Sequence, residues 1–179
     1  MKAIDLSAVE EVKEFEKVQP GGYVCGITNV IDEPDKEYLL IEYDVAEGSK
    51  KNYYRQLFEA KGFWGGKFVK SYKAKALPFF KAFITAVEKS NPGYVWDNNE
   101  NSLKRKLIGL VFGEEEYIKN DGSIGKRLYV AQIHSADKIR NLDYTIPPLK
   151  KLAGASTESF SAAPAFGDLE DIEDDDMPF

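Results

Sequence analysis

The sequence has one cysteine, Cys25, and one histidine, His134. Two such side chains cannot supply the four ligands of a Cys/His zinc site, and a lone cysteine forms no internal disulfide framework. A Cys/His/Asp arrangement stays arithmetically open, but Cys25 lies in an apolar run with nothing local to activate its thiol. Long hydrophobic stretches are also missing: nothing approaches the ~18 consecutive apolar residues of a membrane span. Residues 1–6 carry no charged-then-apolar leader. The expectation is a soluble, cytoplasmic protein.

What is present is an ordinary globular composition: 179 residues, 43% hydrophobic and 30% charged, enough for one domain with a packed core and an extension. The net charge of −6 conceals a division. All 24 Lys and Arg lie at or before Lys151, while eight of the 30 acidic residues follow Leu152. The body, with 24 cations against 22 acids, is therefore +2, and the end of the chain is −8. Such asymmetry points to a nucleic-acid or interaction role.

Three regions follow: a lead-in over residues 1–19, a domain over 20–152, and a linker with an acidic tail over 153–179. In the lead-in, Ser7 and Glu10 have capping-box spacing ahead of Val12 and Phe15, and Pro20-Gly21-Gly22 ends it. Residues 23–31 are rich in β-branched side chains and read as a strand, with Gly26 marking a bend or bulge. Leu39, Ile41, Tyr43 and Val45 alternate with Tyr38, Leu40, Glu42 and Asp44, a strand with one buried face. Residues 52–59 are a third strand candidate. In residues 76–89 the period changes: Phe80, Phe83, Ile84 and Val87 fall on one helical face, and Ser90-Asn91-Pro92-Gly93 stops the helix. Residues 107–118 and 127–134 are two more strands, joined through the hairpin signal Asn120-Asp121-Gly122.

The order β-β-β-α-β-β, all-β with one inserted helix, predicts a five-stranded OB-fold barrel, a fold that binds oligonucleotides. A β-sandwich is the alternative. Residues 153–167 are mostly Gly, Ala, Ser and Thr, and with the acidic run after them predict a disordered tail.

The most informative window is residues 50–81, which holds nine basic residues, nine aromatic ones and a single acid, Glu59. Cations that track phosphates, interleaved with rings that stack on unpaired bases, suit single-strand binding. Phe63-Trp64-Gly65-Gly66 sets large rings in a flexible segment. The stacking candidates are Trp64, Phe68, Tyr72 and Tyr54; extended backbone after the glycines would put Phe68, Lys70 and Tyr72 on one face. Phosphate contacts fall to Arg55, Lys67, Lys70, Lys73 and Lys75, with Lys126 and Arg127 beside Lys119 on the last hairpin. Against this, a lysine-rich face is commonly plain solvated surface, and Phe79 and Phe80 suit a helix core.

Enzyme readings find little. Residues 62–67 resemble a phosphate loop but have three residues between the glycines, where four are required, and Phe68 where Ser or Thr should hold magnesium. Glu42 with Asp44, or Glu114-Glu115-Glu116, could serve a two-metal nuclease, but solvated strand edges explain them more cheaply. No catalytic residue, metal site or cofactor is expected.

The chain ends Asp174-Asp175-Asp176-Met177-Pro178-Phe179, an acidic run closed by an apolar tip and a free carboxylate. That ending resembles the C-terminal tip of bacterial single-stranded DNA-binding proteins, with Met in place of the usual Ile. The body resembles the single-stranded DNA-binding proteins of phages and prophages over residues 20–152. The resemblance runs through Gly22-Tyr23-Val24-Cys25, Trp64-Gly65-Gly66, Ser71-Tyr72-Lys73, residues 76–81 and Gly113-Glu114-Glu115-Glu116-Tyr117. It implies an OB-fold that coats single strands in replication, recombination or repair, in the host cytoplasm, with the tip docking partner enzymes. The rival classes are a protein-binding adaptor and an RNA-binding or strand-annealing protein.

Overall fold

The computed structural model describes Ser7 and residues 16–153. Among the described residues, five strands form one antiparallel sheet: β1 (Gly21–Glu33), β2 (Tyr38–Val45), β3 (Lys67–Ser71), β4 (Leu107–Ile118) and β5 (Ile124–His134), in the spatial order β3-β2-β1-β4-β5. Among the described residues there are three α-helices, α1 (Tyr53–Lys61), α2 (Leu77–Ser90) and α3 (Ala136–Arg140), and 3-10 turns at Ala74–Ala76 and Glu100–Leu103. None of these helices is long and apolar enough to cross a membrane.

β1 serves two partners along its length. Its first residues, Gly21 to Gly26, pair with β4, while Cys25 to Glu33 pair with β2. The register breaks between Ile27 and Asn29, so the bulge falls at Thr28, two residues beyond the glycine that suggested one. The inner face buries Ile27, Val30, Leu39, Ile41, Tyr43, Ile108, Leu110 and Phe112, and α2 lays Phe83, Ile84 and Val87 on it. The alternation in β2 and the 3.6-residue period in α2 thus specify the same core from two sides.

Three expectations need correction. Residues 52–59 are not a strand but most of α1. Leu57, Glu59, Ala60 and Lys61 favour a helix, and Gly62 closes it in the left-handed region at φ 78°, its N–H bonded to the Phe58 carbonyl. The other end is capped from outside: buried Asp44 accepts the N–H of Tyr54 on Oδ1 (2.8 Å) and that of Arg55 on Oδ2 (3.2 Å). The third strand is instead Lys67–Ser71, and helices outnumber the single insertion expected. Finally, the sheet is not closed into a barrel. Its outer strands, β3 and β5, form no ladder with each other; β3 has only five residues, and α2 packs against both.

The opposite face of β1 and β4 is covered more thinly. Val24 and Val111 pack with Ala136 and Ile139 of α3. A strap then crosses the sheet, with the Tyr144 ring over Gly22 and Pro147 over Gly113, where side chains would collide. It ends beside β4, where Lys150 donates to the Glu114 carbonyl (3.0 Å) and accepts from the Glu116 N–H (2.9 Å). Beyond Gly113 the β4–β5 hairpin continues as a two-stranded arm to its turn, where Gly122 has φ 81°.

Candidate nucleic-acid interface

Segment 62–76 leads from α1 through β3 to α2. The Gly66 carbonyl accepts the Tyr43 N–H (2.8 Å), which starts the β2–β3 ladder, and a Cβ at Gly66 would strike the Tyr43 carbonyl oxygen. This glycine is required by a close approach of two backbones. It also holds Trp64, whose Nε1–H donates to the Gly66 carbonyl at 3.0 Å. The half-buried indole lies 6.3 Å from the ring of Phe58. Phe58 is 48% exposed and Phe63 54%, so two large rings stand open to solvent where α1 ends.

Residue 68 and residue 70 do share a face, but it is the inner one. Phe68 lies opposite Ile41, and Lys70 opposite Leu39, both core residues. Phe68 packs 5.8 Å from Tyr43 and edge-on to Phe83 at 6.1 Å, which commits its ring to the core. Lys70 is half-buried beside it with no ion pair among the described residues, and desolvation lowers the pKa of its ammonium group. Tyr72 is half-exposed beyond the strand. Its hydroxyl donates to Asp32 Oδ1 (2.8 Å), and its ring meets Phe80, which in turn touches Trp96.

Tyr54 does not belong with the stacking residues. It is 7% exposed, on the buried side of α1, with its ring edge-on to Tyr43 (5.3 Å) and Tyr53 (5.1 Å), so no face remains for a base. Of the cations, Arg55, Lys67, Lys73 and Lys75 are exposed and make no ion pair among the described residues. Lys126 is exposed on the arm but sits opposite Glu116. Arg127 is engaged already: its Nε bonds Glu115 at 2.7 Å and its guanidinium lies 5.3 Å from the Tyr117 ring centroid.

Of the carboxylates weighed for metal chemistry, Asp44, Glu42, Glu115 and Glu116 have structural partners. Asp44 caps α1, and Glu42 accepts from Asn29 Nδ2 (3.2 Å). No cluster of three metal-ligating side chains occurs among the described residues. The ring of His134 lies 2.9 Å from Gln132 Oε1, and burial lowers its pKa, with Lys138 adding to the shift. Cys25 is buried, and desolvation pushes its thiol well up, away from reactivity.

Two features escaped the sequence reading. One is the exposure of Phe58 and Phe63; Gly62 and Lys61, a helix-ending pair, would have revealed α1 and so the side these rings face. The other is the outward face of the sheet, where Ile31, Leu40 and Val69 stand in one row across three strands, next to Tyr38 and Lys67. Apolar Leu40 on the polar side of the β2 alternation was the available signal. The tip residues Asp174, Asp175, Asp176, Met177, Pro178 and Phe179, the linker and most of the lead-in lie outside the described residues.

No protein-family model matches the chain, and a search of curated proteins finds no significant relative.

Proposed function

We propose that this protein binds single-stranded DNA without sequence preference, coats and protects it in replication, recombination or repair, and recruits partner enzymes through its C-terminal tip. One observation carries the reading. Phe58 and Phe63 open their rings to solvent, the half-buried Trp64 lies beside Phe58, and all three stand at the head of a segment, residues 60–87, that holds six lysines and no acid. Rings serve unpaired bases, which expose their faces, while duplex DNA hides them.

The sheet supports an OB-type architecture for this body. A long first strand shared between β2 and β4, with a helix between the third and fourth strands, is the order such a fold requires, although the closing ladder is not formed. The row Ile31–Leu40–Val69 with Tyr38 gives the strand 2–3 face a surface on which bases can lie. The phosphate contacts are then Arg55, Lys67, Lys73 and Lys75, with Lys70 at the margin of the core. Binding is by counterion release and stacking, with no chemical step.

Titration with a dT oligonucleotide at several salt concentrations, beside a duplex of equal length, tests this. Preference for the single strand, weakening steeply with salt, is expected. Absence of binding at low salt overturns the reading and favours a protein-binding role for the ring cluster. Equal affinity for a U oligonucleotide extends it to RNA.

A further inference from the structure

The turn that leads into β4 carries three consecutive cations, Lys104, Arg105 and Lys106. Main-chain bonds fix it against β1. The Arg105 N–H donates to the Ile27 carbonyl (2.8 Å), the Ile27 N–H donates to the Lys106 carbonyl (2.9 Å), and buried Leu103 anchors the chain just before. Arg105 is held in the left-handed region at φ 67°, which is unfavourable for a side chain of its kind. Like charges fixed side by side repel, yet none of the three makes an ion pair among the described residues. Residues 88–106 carry four cations and three acids in all, but the acids are taken by neutral donors. Glu88 accepts the Trp96 N–H (2.9 Å), Asp97 the Ser102 hydroxyl (2.8 Å) and Glu100 the Asn101 side chain (2.7 Å). Glu42, across β1, is likewise taken by Asn29. Neither residues 101–113 nor the β1 stretch 21–31 holds an acid.

A run of rings leads to this turn from the basic segment. Tyr72 meets Phe80 at 6.1 Å, and Phe80 meets Trp96 at 6.2 Å. Two residues before Trp96, the Tyr94 ring lies 4.7 Å from the Lys106 ammonium group. All four rings are half-buried, so each keeps part of its surface open. We infer that Lys104, Arg105 and Lys106 form a second phosphate contact, reached by a single strand that runs from Lys73 and Lys75 along these rings. The inference rests on the function proposed above and extends its site beyond the basic segment. A polyanion relieves the repulsion among three fixed cations, and the rings give its unpaired bases a surface on the way.

Salt titration of the full chain with a long dT oligonucleotide tests the contact. Each phosphate contact removed should lower the slope of log K against log salt by about 0.7. Lys104→Gln combined with Lys106→Gln should therefore lose about twice that, and Arg105→Asn about 0.7. Arg105 is exposed and Asn accepts the left-handed backbone, so that variant reads the contact without disturbing Lys106 on Tyr94. Arg105→Lys keeps the charge and should keep the slope. Lys138→Gln is the control, since Lys138 belongs to α3 and lies 3.8 Å from Asp143; its slope should stay near the wild-type value. Turn variants with the full slope, or a Lys138→Gln slope that falls as far, overturn this contact and leave the proposed function standing. A loss that vanishes once residues 168–179 are deleted also overturns it, because the turn then holds the acidic end of the chain rather than DNA. A wild-type chain with no affinity for dT removes the proposed function and this contact together.

Discussion

The hydroxyl of Tyr72 donates to Asp32 Oδ1 at 2.8 Å, joining the residue just past β3 to β1 across the intervening β2. Asp32 holds the phenolic proton, and the Tyr72 pKa is pushed from 10.0 up to about 12, chiefly by this bond, with desolvation and the negative charge of Asp32 adding. The folded value exceeds the unfolded one, so the bond contributes fully below pH 10.0 and is lost as pH rises toward about 12. In Asp32→Asn the charge is removed, and the Tyr72 phenol should titrate nearer its ordinary value. Tyrosinate absorbance, with Tyr72→Phe to identify the late phenol, reads this directly. An unchanged alkaline titration in Asp32→Asn would show that Asp32 does not hold the proton.

Asp44 offers a sharper stability test. Its buried carboxylate accepts the N–H groups of Val45, Tyr54 and Arg55, so Asp44→Ala strands donors at the start of α1. Buried groups left unsatisfied, together with a lost charged acceptor, cost about 3 kcal/mol. Asp44→Asn keeps one acceptor and should lose roughly half as much. The midpoint of urea denaturation measures both, with an unchanged m-value as the check that only stability has moved.

The alternation of β2 and the helix around Phe83 and Val87 were legible because a single face of each dominates the burial, which imprints its period on the sequence. α1 was not, because its apolar residues Tyr54 and Leu57 lie in a segment too short to establish a period, and because the group that caps it, Asp44, comes from β2. The candidate site was legible as composition but not as orientation. Phe68, Lys70 and Tyr72 alternate as expected, yet which face of a short edge strand turns inward depends on its register against Leu39 and Ile41, and that is a tertiary fact. Likewise Trp96 lies outside the basic window in sequence, but Phe80 connects its ring to Tyr72.

The ring assignments separate by which property each variant loses. Phe58→Ala, Phe63→Ala and Trp64→Ala should each weaken dT binding by about 1–3 kcal/mol. The two phenylalanine changes should lower the melting temperature far less than a core truncation, since both rings are about half exposed. Phe68→Ala should do the reverse, costing about 2–3 kcal/mol of stability through its lost contacts with Tyr43 and Phe83. Because Trp64 and Trp96 both lie in ring clusters, fluorescence quenching must be compared in Trp64→Phe and Trp96→Phe. A full-strength signal in Trp64→Phe would assign the report to Trp96 and move the strand toward the Tyr72 cluster.

The cations can be counted by salt dependence. Each phosphate contact removed should lower the slope of log K against log salt by about 0.7. Lys73→Ala and Lys75→Ala should each do so, since both ammonium groups are exposed and make no ion pair among the described residues. Arg127→Ala should leave the slope where it is, because that guanidinium is held by Glu115 and Tyr117. A slope that falls for Arg127→Ala alone would transfer the phosphate path from the basic segment to the arm.

The proposed function has the acidic end of the chain compete with DNA for the same cations. The strap fixes the main chain beside β4 as far as Leu152, whose N–H donates to Glu116 Oε2 at 3.3 Å, so the tail departs from a defined place. By composition, a Gly/Ala/Ser-rich linker of about 15 residues would keep the acids within reach of the body at high effective concentration. Seven of the eight acids that follow Leu152 lie in residues 168–176. Deleting residues 168–179 should therefore tighten dT binding at low salt and have little effect at high salt, where the tail is screened. A tail of the same composition in scrambled order should restore the competition, which rests on charge alone, but not the proposed partner recruitment, which rests on the order Met177-Pro178-Phe179. Unchanged affinity of the truncated chain at low salt would remove the competition and leave the tip as a docking element alone.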